Sequence, residues 1–321
     1  MKTNSSTMMF LFMIFTSMFM TISSNMILFT WMTMELNMIV FMPIMTKTKK
    51  MKDFSMKYLI IQSTSSSLML MAILTNLMIE CPINESIMLM TSMLMKLGMI
   101  PFHLWMPNLF QSSSWMICLM MSTIQKIIPT TITSQMIQTK LIFLPMMLSM
   151  MMAPIISINQ TSLKKILAYS SISNTPMMLI TMMVSKSHFI MFFITYSIIN
   201  ASIMSMLKKL NLNFLNQMNN KPKINKMMIL INMLSISGMP PLLGFFPKWI
   251  SIQMSMQMSM ILTTSIISSS ILSTFIYMNL MTPILMNSST KISYMKTLKS
   301  EEILTIVNLT GMPLTLILKF N

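Results

Sequence analysis

Long apolar runs, separated by short polar connections, are the feature that most restricts what this chain can fold into. A helix that crosses the hydrocarbon core of a bilayer needs about 20 consecutive, mostly apolar residues, and runs of that length recur along the whole sequence. Only 9% of the residues are charged, against about 25% in soluble domains, so a water-facing surface cannot be built. The sequence therefore predicts an all-α, polytopic membrane protein.

The apolar runs predict about eleven transmembrane helices in a single membrane domain that covers residues 1–321. No long soluble segment interrupts them. The predicted spans lie at about 6–23, 26–45, 57–79, 86–105, 113–133, 141–158, 163–184, 188–207, 227–250, 256–281 and 303–320.

Several classes of functional site lack the residues that they need. The chain has only 4 glycines, too far apart to form a G-x-G-x-x-G or Walker loop, and no Cys-x-x-Cys pair. Its basic residues lie mostly in short loops rather than on the face of a soluble domain, so we expect no nucleic-acid partner. We also expect this chain itself to bind no cofactor, metal ion or small-molecule substrate.

Lysines in the connections predict the orientation of the chain. Alternating spans place sixteen of them on one side of the membrane and three on the other. Because basic loops stay on the cytoplasmic or matrix side, the N-terminus is expected on that side and the C-terminus on the opposite one. The three lysines of the minority side are Lys140, Lys186 and Lys319.

Four charged residues lie inside apolar runs: Glu35, Lys96, Lys126 and Lys248. A charge at the centre of a bilayer costs about 2.5–3.5 kcal/mol on insertion scales, so these side chains must face the protein interior or water. One interpretation is structural, as static ion pairs or, for Lys248, a side chain that reaches out to the interface. The other is a proton relay through the middle of the membrane.

Two of these lysines stand beside residues that break helices. Lys96 precedes Gly98 and Pro101. Lys248 directly follows the segment Gly238–Pro247, which contains two glycines and three prolines. Broken membrane helices are tolerated only where the freed backbone groups are buried in protein or line a cavity, often on an ion path. The sequence therefore predicts two discontinuous helices, each with a buried lysine at its break.

Desolvation and charge pairing supply the chemistry for a relay. Burial disfavours the charged form of a lysine, whereas a nearby carboxylate favours it. A movement that parts Glu35 from a lysine would therefore release a proton. His103, just past the first break, fits either an auxiliary proton shuttle or a hydrogen-bonded residue at the interface.

Five stretches of the sequence resemble the NADH dehydrogenase subunit 2 family, the mitochondrially encoded, antiporter-like membrane subunits of respiratory complex I (NADH:ubiquinone oxidoreductase), in an insect-like or related invertebrate style. After Ser171, Asn174–Pro176 replace the His and Met-Gly usual in the family, so no role of that His is carried over. The matching stretches are Trp31–Asn37, Met95–Trp105, Gln125–Pro129, Asn159–Ser171 and Gly238–Trp249.

The resemblance implies a role for each buried charge. Glu35 would modulate the first lysine, Lys96; Lys126 would be the central relay; and Lys248 would be the terminal site. It also implies a multi-pass location in the mitochondrial inner membrane, with the N-terminus in the matrix and the C-terminus in the intermembrane space.

The same resemblance implies that this chain works within a larger assembly. Its partners would be membrane lipids and the other complex I membrane subunits, including sibling antiporter-like subunits. FMN, iron–sulfur clusters, NADH and ubiquinone would serve the complex elsewhere, with no redox catalysis in this chain alone. Two alternatives stay open: a cation/proton antiporter subunit, and a structural membrane subunit that does not pump.

Overall fold

Helices make up the regular structure of this chain. The computed structural model describes residues 5–24, 26–46, 52–78, 82–136, 139–220, 222–286, 305 and 308–311. Within those ranges there are α-helices, one 3-10 helix and an isolated bridge between Ser162 and Phe214, but no strand. The predicted all-α class is therefore confirmed, whereas most of the predicted span 303–320 lies outside the described residues.

The chain divides into two compact units, residues 1–146 and residues 147–321. The prediction of a single membrane domain stays a prediction. The helices of the first unit are α1 (Ser5–Ser23), α2 (Ile27–Met45), α3 (Lys52–Met78), α4 (Pro82–Leu97), α5 (Trp105–Ser112), α6 (Trp115–Ser122) and α7 (Ile124–Met136). In this unit α3 packs against α2 and α4, α1 packs against α2, and α4 packs against α7.

Helix α8 (Thr139–Ser157) contains the boundary, and the remaining helices belong to the second unit. The elements of the second unit are α9 (Leu163–Val184), α10 (Lys186–Lys209), the 3-10 helix (Leu215–Asn220), α11 (Lys223–Ser237), α12 (Phe245–Met258) and α13 (Met260–Met286). In this unit α9 packs against α10 and α12, while α13 packs against α11 and α12.

Six helical segments in the described residues are long and apolar enough to cross a membrane. Large apolar side chains point outward from them, as for Phe12 and Phe19 on α1, which are 70% and 71% exposed. Such side chains suit contact with lipid or with other membrane proteins. The chain is therefore a multi-pass membrane protein, although the count of eleven spans stays a prediction.

Both predicted helix interruptions are present, and each begins with the same backbone motif. α4 stops at Leu97 and α11 at Ser237, and the following glycines, Gly98 and Gly238, have positive φ values of 66° and 78°. The N–H of each glycine and the N–H of the next residue bond back to carbonyls of the last helical turn. This arrangement needs a left-handed residue, which explains why glycine stands there. Seven residues then separate each helix from the next one.

A third interruption, at Thr123, separates α6 from α7 and was not predicted. Thr123 leaves the helical region (φ −116°, ψ −80°), and its hydroxyl donates a hydrogen bond of 2.7 Å to the Leu119 carbonyl. A threonine hydroxyl that bonds to the carbonyl four residues earlier disturbs the helical ladder. As a result, Lys126 also lies near a helix end, so an interruption accompanies each of the three lysines that the sequence analysis places inside apolar runs.

Helix α9 forms the buried centre of the second unit, with Ser171–Thr181 buried without exception. Pro176 lies inside this helix and cannot donate a hydrogen bond to the Ile172 carbonyl. The hydroxyl of Thr175 donates to that carbonyl instead, at 2.6 Å. The helix therefore continues through the proline with this acceptor satisfied.

Candidate functional site

One small cavity in the first unit brings together three of the predicted residues, Glu35, Lys96 and Lys126. These residues come from α2, α4 and α7, and α3, α5 and α6 also contribute to the cavity wall. The space open to water-sized molecules is ≈ 30 Å³, which is more than the roughly 10–15 Å³ that one water needs. A polar cavity of this size can hold water between the charged groups.

Lys96 lies in the last turn of α4, where the partial negative charge of the helix end suits a cation. Its side chain is half-buried, and Nζ lies 3.5 Å from the sulfur of Met34. Glu35, which follows Met34 in the sequence, lines the same cavity as Lys96, and their opposite charges attract each other. The carboxylate and the ammonium thus influence each other across this cavity.

Lys126 is the most deeply buried of the three lysines, with 3% of its surface exposed. It lies in the first turn of α7, directly after the interruption at Thr123, and its backbone N–H bonds to the Thr123 carbonyl at 3.0 Å. The sequence placed Lys126 inside an uninterrupted span. The structure instead places it at a helix start, where the helix dipole does not favour a cation.

Polar residues that the sequence analysis did not single out complete this cavity. Tyr58, Gln62 and Ser66 follow one another at intervals of four residues on α3, so they form one polar stripe towards the cavity. Asn37 and Gln125 bond reciprocally, with N···O distances of 2.9 and 3.3 Å. That pair joins α2 to α7 and fixes the backbone beside Glu35 and Lys126. The four-residue spacing on α3 was a signal that could have found the stripe.

Two tryptophans beside this site donate hydrogen bonds from their indole N–H groups to backbone carbonyls. The indole N–H of Trp105, the first residue of α5, donates to the Met95 carbonyl at 3.1 Å. The indole N–H of Trp31 donates to the Ser66 carbonyl at 3.0 Å and so ties α2 to α3. Both bonds are made by donors that a membrane interior could not otherwise satisfy.

A second cavity lies within the second unit and contains Lys248. Its space for water-sized molecules is ≈ 20 Å³, again enough for a water. Lys248 is 6% exposed and lies in the first turn of α12, after the interruption at Gly238–Gly244. The hypothesis that this side chain reaches out to the interface is therefore wrong, because it is buried within the protein.

The ammonium of Lys248 bonds to two neutral oxygens. Nζ donates to the carbonyl of Ser237, the last residue of α11, and to the hydroxyl of Ser273 at 2.9 Å. A cation at a helix C-terminus satisfies a carbonyl that has no helical partner. A Cβ on Gly238 would lie 2.6 Å from Cδ of Lys248, so the glycine also makes room for the lysine stem.

The wall of this second cavity is made of hydroxyl and amide groups. Ser269, Ser273 and Tyr277 follow at intervals of four residues on α13, which repeats the spacing seen on α3. Ser173 and Asn174 of α9 also line this cavity, and Asn174 begins the stretch that differs from the family which the sequence resembles. Among the described residues that line the cavity, none carries a carboxylate.

The remaining predicted residue, His103, is not part of either cavity wall. It lies in the loop between α4 and α5, where Nδ1 is 3.3 Å from the Pro101 carbonyl. A further lysine, Lys226, is 7% exposed in the first turn of α11, although the sequence placed it in a loop. The helix begins earlier than predicted, at Lys223, and carries this residue inward.

Known proteins share both the sequence pattern and the fold of this chain. The family described as "NADH:quinone oxidoreductase/Mrp antiporter, TM" matches residues 23–275. NADH-ubiquinone oxidoreductase chain 2 of Locusta migratoria is 38% identical over 265 residues, which are 79% of this chain and 77% of the relative. The protein of the same name from Anopheles gambiae is 34% identical over 301 residues, which are 89% and 88% of the two chains.

Among solved structures, a chain of respiratory complex I from Thermus thermophilus with bound aureothin has a TM-score of 0.80. The identity is 16%, and the match covers 96% of this chain and 79% of that chain. This likeness shows that the predicted antiporter-like fold is present. Because the sequence matches exceed 30% identity over more than three quarters of both chains, this chain belongs to the NADH-ubiquinone oxidoreductase chain 2 family.

Proposed function

We propose that this chain is a proton-translocating membrane subunit of NADH:ubiquinone oxidoreductase. The observation that carries the proposal is the cavity of the first unit, where Glu35, Lys96 and Lys126 line one space inside a membrane protein and both lysines lie beside helix interruptions. A charge buried in a membrane helix is costly, and groups of such charges mark proton paths. Membership of the family makes this the function that the geometry supports best.

Protons move in this proposal between the two lysines of the first cavity through water. A proton on Lys96 is held by the electrostatic interaction with Glu35. When that interaction weakens, the ammonium gives its proton to a water in the cavity, and the amine of Lys126 on the same wall accepts it. The Asn37–Gln125 pair keeps α2 and α7 in register while this occurs.

Lys248 holds a proton in a different way. Its ammonium is stabilised by the Ser237 carbonyl and the Ser273 hydroxyl, and the cavity beside it is lined by further hydroxyl groups of Tyr169, Ser173 and Tyr277. Hydroxyl groups both donate and accept hydrogen bonds, so they can orient a water that takes up or delivers the proton. In the proposal Lys248 is the terminal site of the relay.

The redox chemistry lies outside this chain in the proposal. FMN, iron–sulfur clusters, NADH and ubiquinone serve other parts of the complex, and electron transfer there drives the changes in ion pairing here. The partners are sibling antiporter-like subunits, further membrane subunits and lipids of the mitochondrial inner membrane. The sixteen-to-three distribution of lysines supports an N-terminus in the matrix and a C-terminus in the intermembrane space.

Lys126→Met in the intact complex tests the proposal, since methionine keeps the length of the side chain but cannot carry a proton. Assembly is followed on native gels with in-gel NADH oxidation, and proton translocation per NADH is measured in sealed vesicles. We expect normal assembly with fewer protons moved per NADH. Lys208→Met, at an exposed lysine of α10, is the matched control and leaves the ratio unchanged.

A structural role for Lys126 predicts the opposite pattern: loss of assembled complex, or an unchanged ratio in the complex that remains. The second candidate, a cation/proton antiporter subunit, is favoured by the Mrp antiporter part of the family description. It predicts that translocation in the same vesicles requires Na⁺. Translocation at full rate without Na⁺ would exclude that function.

A further inference from the structure

The segment Asn308–Gly311, near the end of the chain, contacts the interruption between α11 and α12. The backbone N–H of Leu243, within that interruption, donates a hydrogen bond of 3.1 Å to the carbonyl of Asn308. A Cβ on Gly311 would lie only 2.0 Å from Cδ1 of Leu243. The two segments are therefore packed closely, although 65 positions separate Leu243 from Asn308 in the sequence.

The side chain of Asn308 joins this contact to two further helices. Its Nδ2 donates to the hydroxyl of Ser202 on α10 at 3.0 Å and to Oδ1 of Asn232 on α11 at 2.7 Å. Asn308 is 0% exposed, and Asn232 is 1% exposed. A buried amide with these bonds links α10, α11 and the interruption at a single point.

Most described backbone hydrogen bonds of the interruption join residues close in sequence, whereas the bond to Asn308 joins it to a distant segment. The N–H groups of Gly238, Met239 and Leu242 bond to carbonyls three to five residues earlier in the chain. Leu243 bonds instead to a distant segment. In a membrane interior a backbone N–H without a partner is costly, so the shape of the interruption depends on where Asn308 is held.

We propose that Asn308 is a positioning residue for Lys248. Lys248 bonds to the carbonyl of Ser237 at the end of α11, and Asn308 holds α11 through Asn232 one and a half turns earlier. Its backbone carbonyl also holds Leu243, within the interruption and just before α12. Asn308 therefore fixes both segments that determine whether the lysine ammonium reaches its acceptor. This inference rests on the proposed proton-transfer role of Lys248.

Asn308→Ala tests the inference, because it removes both side-chain hydrogen bonds and leaves the backbone carbonyl. The variant is compared with Lys248→Met and with the double variant in the intact complex, measuring protons translocated per NADH oxidised. We expect each single variant to lower the ratio and the double variant to match Lys248→Met. Asn279→Ala, at an exposed asparagine of α13, is the matched control and leaves the ratio unchanged.

The double variant separates positioning from a general structural role. If Asn308 acted independently of Lys248, its substitution would lower the ratio further in the Lys248→Met background. Such an additive result, or an unchanged ratio in Asn308→Ala, would overturn the inference. An unchanged ratio in Lys248→Met would instead contradict the proposed function itself.

If Asn308→Ala prevents assembly, the inference is tested with Ser202→Ala in the same assay. This substitution removes only one of the two side-chain hydrogen bonds of Asn308 and does not change a residue of the interruption. We expect a smaller reduction of the ratio that again disappears in the Lys248→Met background. An unchanged ratio, or a reduction that persists in that background, would overturn the inference.

Discussion

Gly244→Ala is expected to open the interruption before Lys248, although the backbone angles of Gly244 alone would predict that alanine stabilises the protein. Gly244 has right-handed helical angles (φ −68°, ψ −12°) that alanine adopts easily. At such a position Gly→Ala usually stabilises a protein by about 0.4–1 kcal/mol. A Cβ on Gly244, however, would lie 1.6 Å from the Ser235 carbonyl oxygen and 2.6 Å from its carbon. Because these atoms belong to the backbone, no side chain can turn away to make room.

The size of the effect follows from this overlap. Overpacking a filled site costs about 1–3 kcal/mol, occasionally more, so local opening of the interruption becomes about 5- to 150-fold more frequent. The separation of α11 from α12 also draws Lys248 away from the Ser237 carbonyl. Amide hydrogen exchange of residues 238–248 in the intact complex measures the opening. Proton translocation per NADH measures the consequence, which we expect to be a lower ratio.

Gly98→Ala is the matched comparison. Its φ of +66° is unfavourable for alanine, by about 1–2 kcal/mol, but the nearest atoms to a Cβ belong to the side chains of Trp105 and Met106, at 3.3 and 3.4 Å. These side chains can shift slightly, so Gly98→Ala should open the first interruption only by the amount that its backbone strain predicts, about 5- to 30-fold. If Gly244→Ala left the exchange of residues 238–248 unchanged, the close approach of α11 and α12 would be refuted.

Two further predictions concern buried hydrogen bonds. Thr175→Val should destabilise α9 by about 1–3 kcal/mol, because the Ile172 carbonyl loses its donor. Adding Pro176→Ala should restore stability, since alanine supplies a backbone N–H for that carbonyl. If thermal inactivation of the complex showed no such rescue, the role given to the Thr175 hydroxyl would be contradicted. Asn37→Leu or Gln125→Leu alone should cost about 1–3 kcal/mol by leaving one buried amide without its partner. The double variant should cost less than the two single variants together in the same assay, and strict additivity would show that the pair is not coupled.

The sequence predicted that helices break beside Lys96 and beside Lys248, because glycine and proline act on the backbone locally, whereas the length of each break comes from the structure. Gly98 and Gly238 are followed within three residues by proline, and both occupy the left-handed position that ends a helix. At Thr123 no glycine or proline indicates the interruption in the sequence. Threonine is ordinary within membrane helices, and its effect depends on a hydroxyl rotamer that the sequence does not specify.

The buried charges were predictable, but most of their surroundings were not. The free-energy cost of exposing a charge to the hydrocarbon core is enough to place Lys126 and Lys248 in the protein interior, whichever residues surround them. The stripe of Tyr58, Gln62 and Ser66 was visible in principle from its spacing. Helix α13 carries serines around much of its circumference, so only the packing shows that Ser273 is the one that meets Lys248. The contact between Asn308 and Leu243 joins distant segments, and no local pattern indicates it.

The two lysine sites share a local design but compensate positive charge differently. The first cavity contains a carboxylate, Glu35, whose charge acts on Lys96. The described acceptors of Lys248 are a carbonyl and a hydroxyl; these neutral groups stabilise an ammonium through hydrogen bonds, whose strength depends on distance and angle. The stability of a proton on Lys248 therefore depends on how well a helix end is positioned rather than on a nearby acid. This dependence is a physical reason for the tight backbone packing at Gly244 and for the buried amide of Asn308 beside the same interruption.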